Sequence, residues 1–137
     1  MTASLYASFV SDNEYDEYTL VHEFGHSLGG LGDEYYTSST AYNDTYPKGV
    51  EPWEPNITAE RRREKLKWRD LVLKATPVPT PEKPEHADKV GLFEGAGYSA
   101  KGLYRPSIDC KMFDKGHQPF CPVCTRSVTQ AIGRYSR

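Results

Sequence analysis

Two histidines four residues apart, His22 and His26, lie in a segment whose pattern predicts an α-helix. From about residue 14 to residue 28 the apolar side chains recur at helical spacing, and a run of glycines that starts at Gly29 would end the helix abruptly. Side chains four positions apart project from one face of a helix, so both imidazoles can reach a single metal ion. This helix is the best-supported element of the chain.

Glu23 completes the stretch His22-Glu23-Phe24-Gly25-His26. Its carboxylate would lie on the same side as the imidazoles, close enough to hold a metal-bound water without being a ligand itself. A water bound to zinc has a pKa near about 7, so the glutamate can accept its proton during attack on a carbonyl. We therefore predict Zn²⁺ as the cofactor and Glu23 as the catalytic base. The alternative is that two surface histidines share a helix face by chance.

A catalytic zinc needs a third protein ligand and an open position for water. Glycines after the helix let the backbone reverse and return a polar side chain to the metal. The metzincin pattern has a histidine six residues after the second helix histidine, and this chain has Gly32 there, followed by Asp33. We assign Asp33 as the third ligand, with Glu34 as the rival.

The stretch HEFGHSLGGLGDEY resembles the active-site segment of the bacterial IgA-peptidase family of zinc metallopeptidases, distant members of the metzincins. GLYRPSIDCKM followed by PFCPVC is similar to the carboxy-terminal signature of that family, where a methionine turn underlies the metal. The resemblance implies that Met112 forms a floor below His22, His26 and Asp33. It also implies a secreted or cell-surface zinc endopeptidase that cleaves proteins or peptides.

The expected fold class is α+β, with residues 1–137 forming one metzincin-like zincin catalytic domain. Only one predicted strand, residues 5–10, precedes the active-site helix, so the domain is expected to lack most of the upper sheet and to be incomplete at its amino terminus. The remainder is expected to be a loop-rich lower subdomain that ends in a carboxy-terminal helix.

The other predicted elements follow from local patterns. They comprise a long loop over 36–56, a helix over 59–73, an extended segment over 75–84, a strand or hairpin over 90–98 and a helix over 122–135. In the second helix we expect Leu66, Trp68, Leu71 and Val72 to face inward.

Three cysteines leave several arrangements open. Cys121 and Cys124 have the spacing of half a structural zinc site or of a redox pair, and Cys110 with His117 would complete a Cys₃His set. The family resemblance favours a disulfide from Cys110 to one of the pair.

The composition excludes several partners. With net charge −2 and 26% charged residues the chain is not a polybasic nucleic-acid binder, and no apolar stretch approaches the roughly 18 residues of a membrane span. The opening MTASLYASFV lacks the basic region and apolar core of a signal peptide. Oligomeric state is left open.

Two alternatives compete with the peptidase. One is a binding module of the same family that keeps zinc and has lost turnover. The other is a structural zinc protein built on the cysteines. Tyr104 is a further candidate, as a hydrogen-bond donor to the developing oxyanion, although packing in the core is the simpler role for it.

Overall fold

A computed structural model of the chain describes residues 16–36, 46–114 and 118–135, with the side chains of 16–18 left out. This part is α+β. It contains helix α1 (Asp16–Gly29), a two-stranded antiparallel sheet of β1 (Phe93–Ala96) and β2 (Ser99–Arg105), and helix α2 (Pro122–Tyr135). The predicted strand at 5–10 and His117 lie outside the described residues.

Helices α1 and α2 pack against each other. A Cβ added to Gly29 would come within 3.0 Å of Val128 Cγ2, so the glycine permits this close approach. Gly30 then adopts a left-handed φ of +65°, and the Leu31 N–H donates to the Gly25 carbonyl at 3.1 Å. The predicted end of α1 is correct to within one residue, and the predicted bounds of α2 are confirmed.

The strand or hairpin predicted over 90–98 is in part correct: β1 and the hairpin turn lie in that range, whereas the second strand, Ser99–Arg105, lies entirely beyond it. Ala96 pairs with Ser99, which leaves Gly97 and Tyr98 as a two-residue turn. Both have positive φ, +55° and +68°, as a type I′ hairpin turn requires. A tyrosine at positive φ is unusual, so this turn is held by contacts beyond the hairpin.

The predicted α-helix over 59–73 is wrong: the structure has only two short 3₁₀ turns there, Arg63–Lys65 and Arg69–Leu71. Leu66 and Trp68 are both fully buried although they lie two positions apart, which no helical face allows. The indole of Trp68 donates to the Gly91 carbonyl at 2.8 Å. Long-range contacts therefore override the helical propensity of this charged segment.

One main core cluster connects the loops to α2. Its buried members lie between the loop after α1 and the first turn of α2: Leu31, Leu66, Trp68, Val72, Val90, Leu92, Tyr104, Cys110, Met112, Cys121, Val123 and Cys124. All three cysteines are thus core residues. Neither of the two described α-helices has the length and apolar character needed to cross a membrane.

Candidate metal centre

Three side-chain atoms from α1 and the loop after it converge on one point. His22 Nε2 lies 3.1 Å from His26 Nε2 and 3.0 Å from Asp33 Oδ1, and His26 Nε2 lies 3.0 Å from the same oxygen. Ligand atoms bound tetrahedrally to zinc at about 2.0–2.1 Å lie about 3.3 Å apart. The triangle therefore has nearly the size that a zinc ion requires.

The hydrogen bonds of the two rings assign their tautomers. His22 Nδ1 lies 2.8 Å from the Lys111 carbonyl oxygen, and His26 Nδ1 lies 2.7 Å from that of Leu31. A carbonyl only accepts, so each Nδ1 carries a proton and each ring directs its Nε2 at the centre. Two ring nitrogens and a carboxylate oxygen this close together need a proton or a metal ion between them. The donor set thus fits a divalent metal of the zinc type.

The second oxygen of Asp33 is held by two tyrosines. Tyr35 donates its hydroxyl to Oδ2 at 3.1 Å, and Tyr98 donates to the same oxygen. The hairpin turn is docked on this segment, because the Gly97 N–H donates to the Asp33 carbonyl at 2.9 Å and the Tyr98 N–H to the Tyr35 carbonyl at 3.0 Å. These contacts explain the positive φ of Tyr98 and leave Asp33 Oδ1 directed at the histidines.

The pKa values of Asp33 and His26 are shifted by their contact with each other. Burial by itself would raise the pKa of Asp33, but hydrogen bonds with His22 and His26 outweigh it and hold that pKa far below its usual range. Burial likewise lowers the pKa of His26, yet the hydrogen bond and charge of Asp33 raise it on balance. The site thus attracts positive charge, which a proton or a metal ion can supply.

Glu23 lies beside this triangle. One of its carboxylate oxygens lies within 4.8 Å of a ring nitrogen of His22 and of a ring nitrogen of His26. The His22 side chain is 1% exposed and that of His26 is 28% exposed, so the centre opens on the His26 side.

Met112 lies beneath the turn of α1 that carries the histidines. Its thioether occupies the space next to Gly25, where an added Cβ would be only 2.6 Å from Met112 Sδ. The Met112 carbonyl also accepts the Glu34 N–H at 2.9 Å. Met112 therefore contacts both the histidine helix and the loop that carries Asp33.

Asn56 is a residue of this region that the sequence reasoning missed. Its amide accepts the Gly32 N–H at 2.8 Å and donates to the Gly32 carbonyl and to Glu34 Oε2, both at 2.9 Å. Such an arrangement fixes the backbone just before Asp33. The sequence around residue 56 gives no sign that Asn56 contacts Gly32; the only hint is that an asparagine amide can both donate and accept hydrogen bonds.

Glu34, the rival third ligand, points away from the histidines. It is fully buried, and its Oε2 lies 3.2 Å from Cys124 Sγ. All three cysteines are free thiols, so the disulfide that the resemblance implied for Cys110 is absent from the structure. Tyr104 belongs to the core, with its hydroxyl 3.5 Å from Glu94 Oε2.

A comparison with protein-family models finds one match that spans most of the chain. The model described as IgA peptidase M64 matches residues 2–87 and 82–132. The matched ranges include every residue of the metal centre. No curated protein matches the chain.

Proposed function

The chain belongs to the IgA peptidase M64 family, and from this premise we propose that it is a zinc-dependent endopeptidase. A peptidase of this family acts on protein or peptide substrates. The finer assignment of metal, mechanism and ligands rests on the triangle of His22, His26 and Asp33, whose three lone-pair atoms lie 3.0–3.1 Å apart.

His22, His26 and Asp33 would hold the zinc ion. Bound there, zinc would supply a polarised water whose pKa falls to about 7 and a positive charge for the developing oxyanion. The Lys111 and Leu31 carbonyls keep both rings in the tautomer that offers Nε2. Tyr35 and Tyr98 hold the carboxylate of Asp33 in place.

Glu23 is the general base in this proposal. Its carboxylate accepts a proton from the attacking water and passes it to the amine of the leaving peptide, so that the side chain ends the cycle ionised again. A metal held only for structure has no need of a carboxylate at this distance. The position of Glu23 therefore favours an enzyme over a zinc-binding module without turnover.

The test compares Glu23→Gln with the wild-type chain on casein as a general protein substrate. We expect Glu23→Gln to keep its zinc and to lose about 10²- to 10⁴-fold in cleavage rate. His26→Ala should lose both zinc and cleavage. Glu64→Gln, a change of the same chemistry at an exposed position, should alter neither.

Two outcomes would contradict parts of this proposal. Full activity in Glu23→Gln would remove the glutamate from the mechanism. A wild-type chain that holds zinc in the histidine site and cleaves neither casein nor a random peptide mixture would be the binding module. The extracellular or cell-surface location implied by the family resemblance stays a prediction.

A further inference from the structure

A second group of side chains that could hold a metal ion lies in the core, and it includes the residue after Asp33. It consists of Glu34, Cys110, Cys121 and Cys124, all buried, and one ligand atom from each lies within 4.8 Å of the others. Atoms bound to one zinc ion through bonds of about 2.3 Å lie about 3.8 Å apart. Four donors converging inside a core is a closed arrangement, with no face open to substrate.

Two backbone N–H groups point at the sulfur of Cys110. Cys110 Sγ accepts hydrogen bonds from the Cys121 N–H at 3.2 Å and from the Met112 N–H at 3.5 Å. Cys121 directly precedes α2 and Cys124 lies in its first turn. The thiolate is the form that binds metal, and the two N–H donors to Cys110 are placed to stabilise a metal-bound sulfur.

Glu34 provides an independent sign of a missing partner. Its Oε1 is buried and has no hydrogen-bond partner among the described residues, while Oε2 is engaged by Asn56 and Cys124. A buried polar atom without a hydrogen-bond partner is unfavourable, and more so if it is charged. A cation between the carboxylate and the three sulfurs would satisfy this oxygen.

We propose that Cys110, Cys121, Cys124 and Glu34 bind a second Zn²⁺ that serves the fold. Four protein ligands and no open position are the mark of a structural zinc site. The set has the same net charge around zinc as four cysteines. The fourth ligand in this proposal is Glu34, whereas the sequence analysis suggested His117 for that position. The site does not depend on the peptidase activity proposed above.

A zinc ion at the second site would also hold in place two segments that position the histidine centre. Glu34 follows Asp33 directly, and Cys110 comes just before Lys111, whose carbonyl fixes the His22 ring. One ion bound to Glu34, Cys110 and α2 would thus join the loop of the third catalytic ligand to the segment that orients the deepest histidine.

The first experiment is elemental analysis of the full chain, purified with a reductant, loaded with zinc and dialysed. We expect two zinc ions per chain in the wild type, one in His26→Ala and one in Cys124→Ser. Thr129→Ala, an exposed change on the same helix, is the control and should retain two. One zinc in the wild type that is lost in His26→Ala and kept in Cys124→Ser would overturn the second site.

A second measurement needs no variant and therefore stands if Cys124→Ser fails to fold. Titration of the zinc-loaded wild type with p-hydroxymercuribenzoate should release one equivalent of zinc as three thiols react. Thiol modification that releases no zinc would contradict the proposal. A count of one thiol in the denatured chain, in place of three, would mean a disulfide and would also overturn it.

Cobalt identifies the ligands directly. His26→Ala loaded with Co²⁺ should show the near-ultraviolet charge-transfer absorption of thiolate bound to cobalt, and Glu34→Gln in that background should bind Co²⁺ at least tenfold more weakly. Absence of the thiolate band would show that the sulfurs do not bind the metal.

Discussion

The His22 ring donates from Nδ1 to the Lys111 carbonyl at 2.8 Å, across 89 positions of the chain. This bond connects the histidine helix to the segment that carries Met112. It also fixes the ring so that Nε2 faces His26 and Asp33. The deepest histidine of the centre is therefore oriented by the carboxy-terminal part of the chain, and packing in that part should affect the metal.

A side chain at position 25 should destabilise the fold. A Cβ at this position would lie 2.6 Å from Met112 Sδ and 3.0 Å from the Phe120 ring. Overpacking of a core typically costs about 1–3 kcal/mol, and the better helix propensity of alanine recovers about 1 kcal/mol. We expect Gly25→Ala to lower the free energy of unfolding by about 1 kcal/mol, measured by urea denaturation.

The matched control is Gly133→Ala in α2, where an added Cβ meets no atom within 4 Å. This change should raise stability by up to about 1 kcal/mol, because only helix propensity acts. Equal stabilisation by both alanines would mean that Met112 does not pack against Gly25.

Tyr98 should support zinc affinity without touching the ion. Its hydroxyl donates to Asp33 Oδ2, so Tyr98→Phe frees the carboxylate to turn. Loss of a hydrogen bond to a metal ligand typically costs 10- to 100-fold in affinity. We expect about a tenfold weaker histidine site, measured by zinc-buffered titration of the chelated chain. Tyr135→Phe, at a tyrosine that is 71% exposed, is the control, and an unchanged affinity in Tyr98→Phe would contradict this role.

Local pattern was sufficient for the two α-helices. The bounds of α2 and the end of α1 follow from apolar spacing and from glycine or proline at the ends. The helix predicted over 59–73 failed because charged residues with good helix propensity surround Leu66 and Trp68, whose burial is decided by residues such as Gly91 far along the chain.

The same division applies to the site. His22, Glu23, His26 and Asp33 lie within twelve residues, so spacing alone brings them together as candidates. Tyr98 lies 65 positions from Asp33, and a turn could be predicted at Gly97-Tyr98 without any sign of what it docks against. The cysteine spacing suggested a metal half-site, but the burial of Glu34 among the sulfurs is a property of the folded core.

Removing the Asn56 side chain should lower the free energy of unfolding. Its amide satisfies the N–H and carbonyl of Gly32 and one oxygen of Glu34, all buried. Asn56→Ala leaves these groups unpaired, at about 1–3 kcal/mol for each group that water does not reach. We expect a loss of about 3 kcal/mol in urea denaturation. Gln130→Ala, at an exposed amide on α2, should change stability by less than about 0.5 kcal/mol.

A change from Asn56 to Asp refines this test. Aspartate keeps the acceptor for the Gly32 N–H but turns a carboxylate oxygen toward the Gly32 carbonyl and Glu34. We expect Asn56→Asp to be at least as destabilising as Asn56→Ala at neutral pH. A stability equal to that of the wild type would show that the Gly32 segment is held in some other way.

His26 should make the metal-free chain more stable in acid than in base. Its pKa in the folded chain is raised above 6.5 despite burial, because Asp33 favours the protonated ring. The folded state then holds the proton more tightly than the unfolded state does. This contribution is fully present below about pH 6.5 and is lost as pH rises through the folded pKa. Asp33, with its lowered pKa, stays ionised throughout that range.

Thermal unfolding with a chelator, at several pH values between about 5.5 and 8.5, measures this effect. The wild type should lose stability relative to His26→Gln as pH rises, and the difference between the two chains removes the titration of all other groups. With zinc present the trend should reverse, because the proton and the ion compete for the same Nε2. Parallel curves for the two metal-free chains would mean that His26 and Asp33 do not share a proton. Metal-free curves that diverge as expected, without reversal in zinc, would place the ion elsewhere.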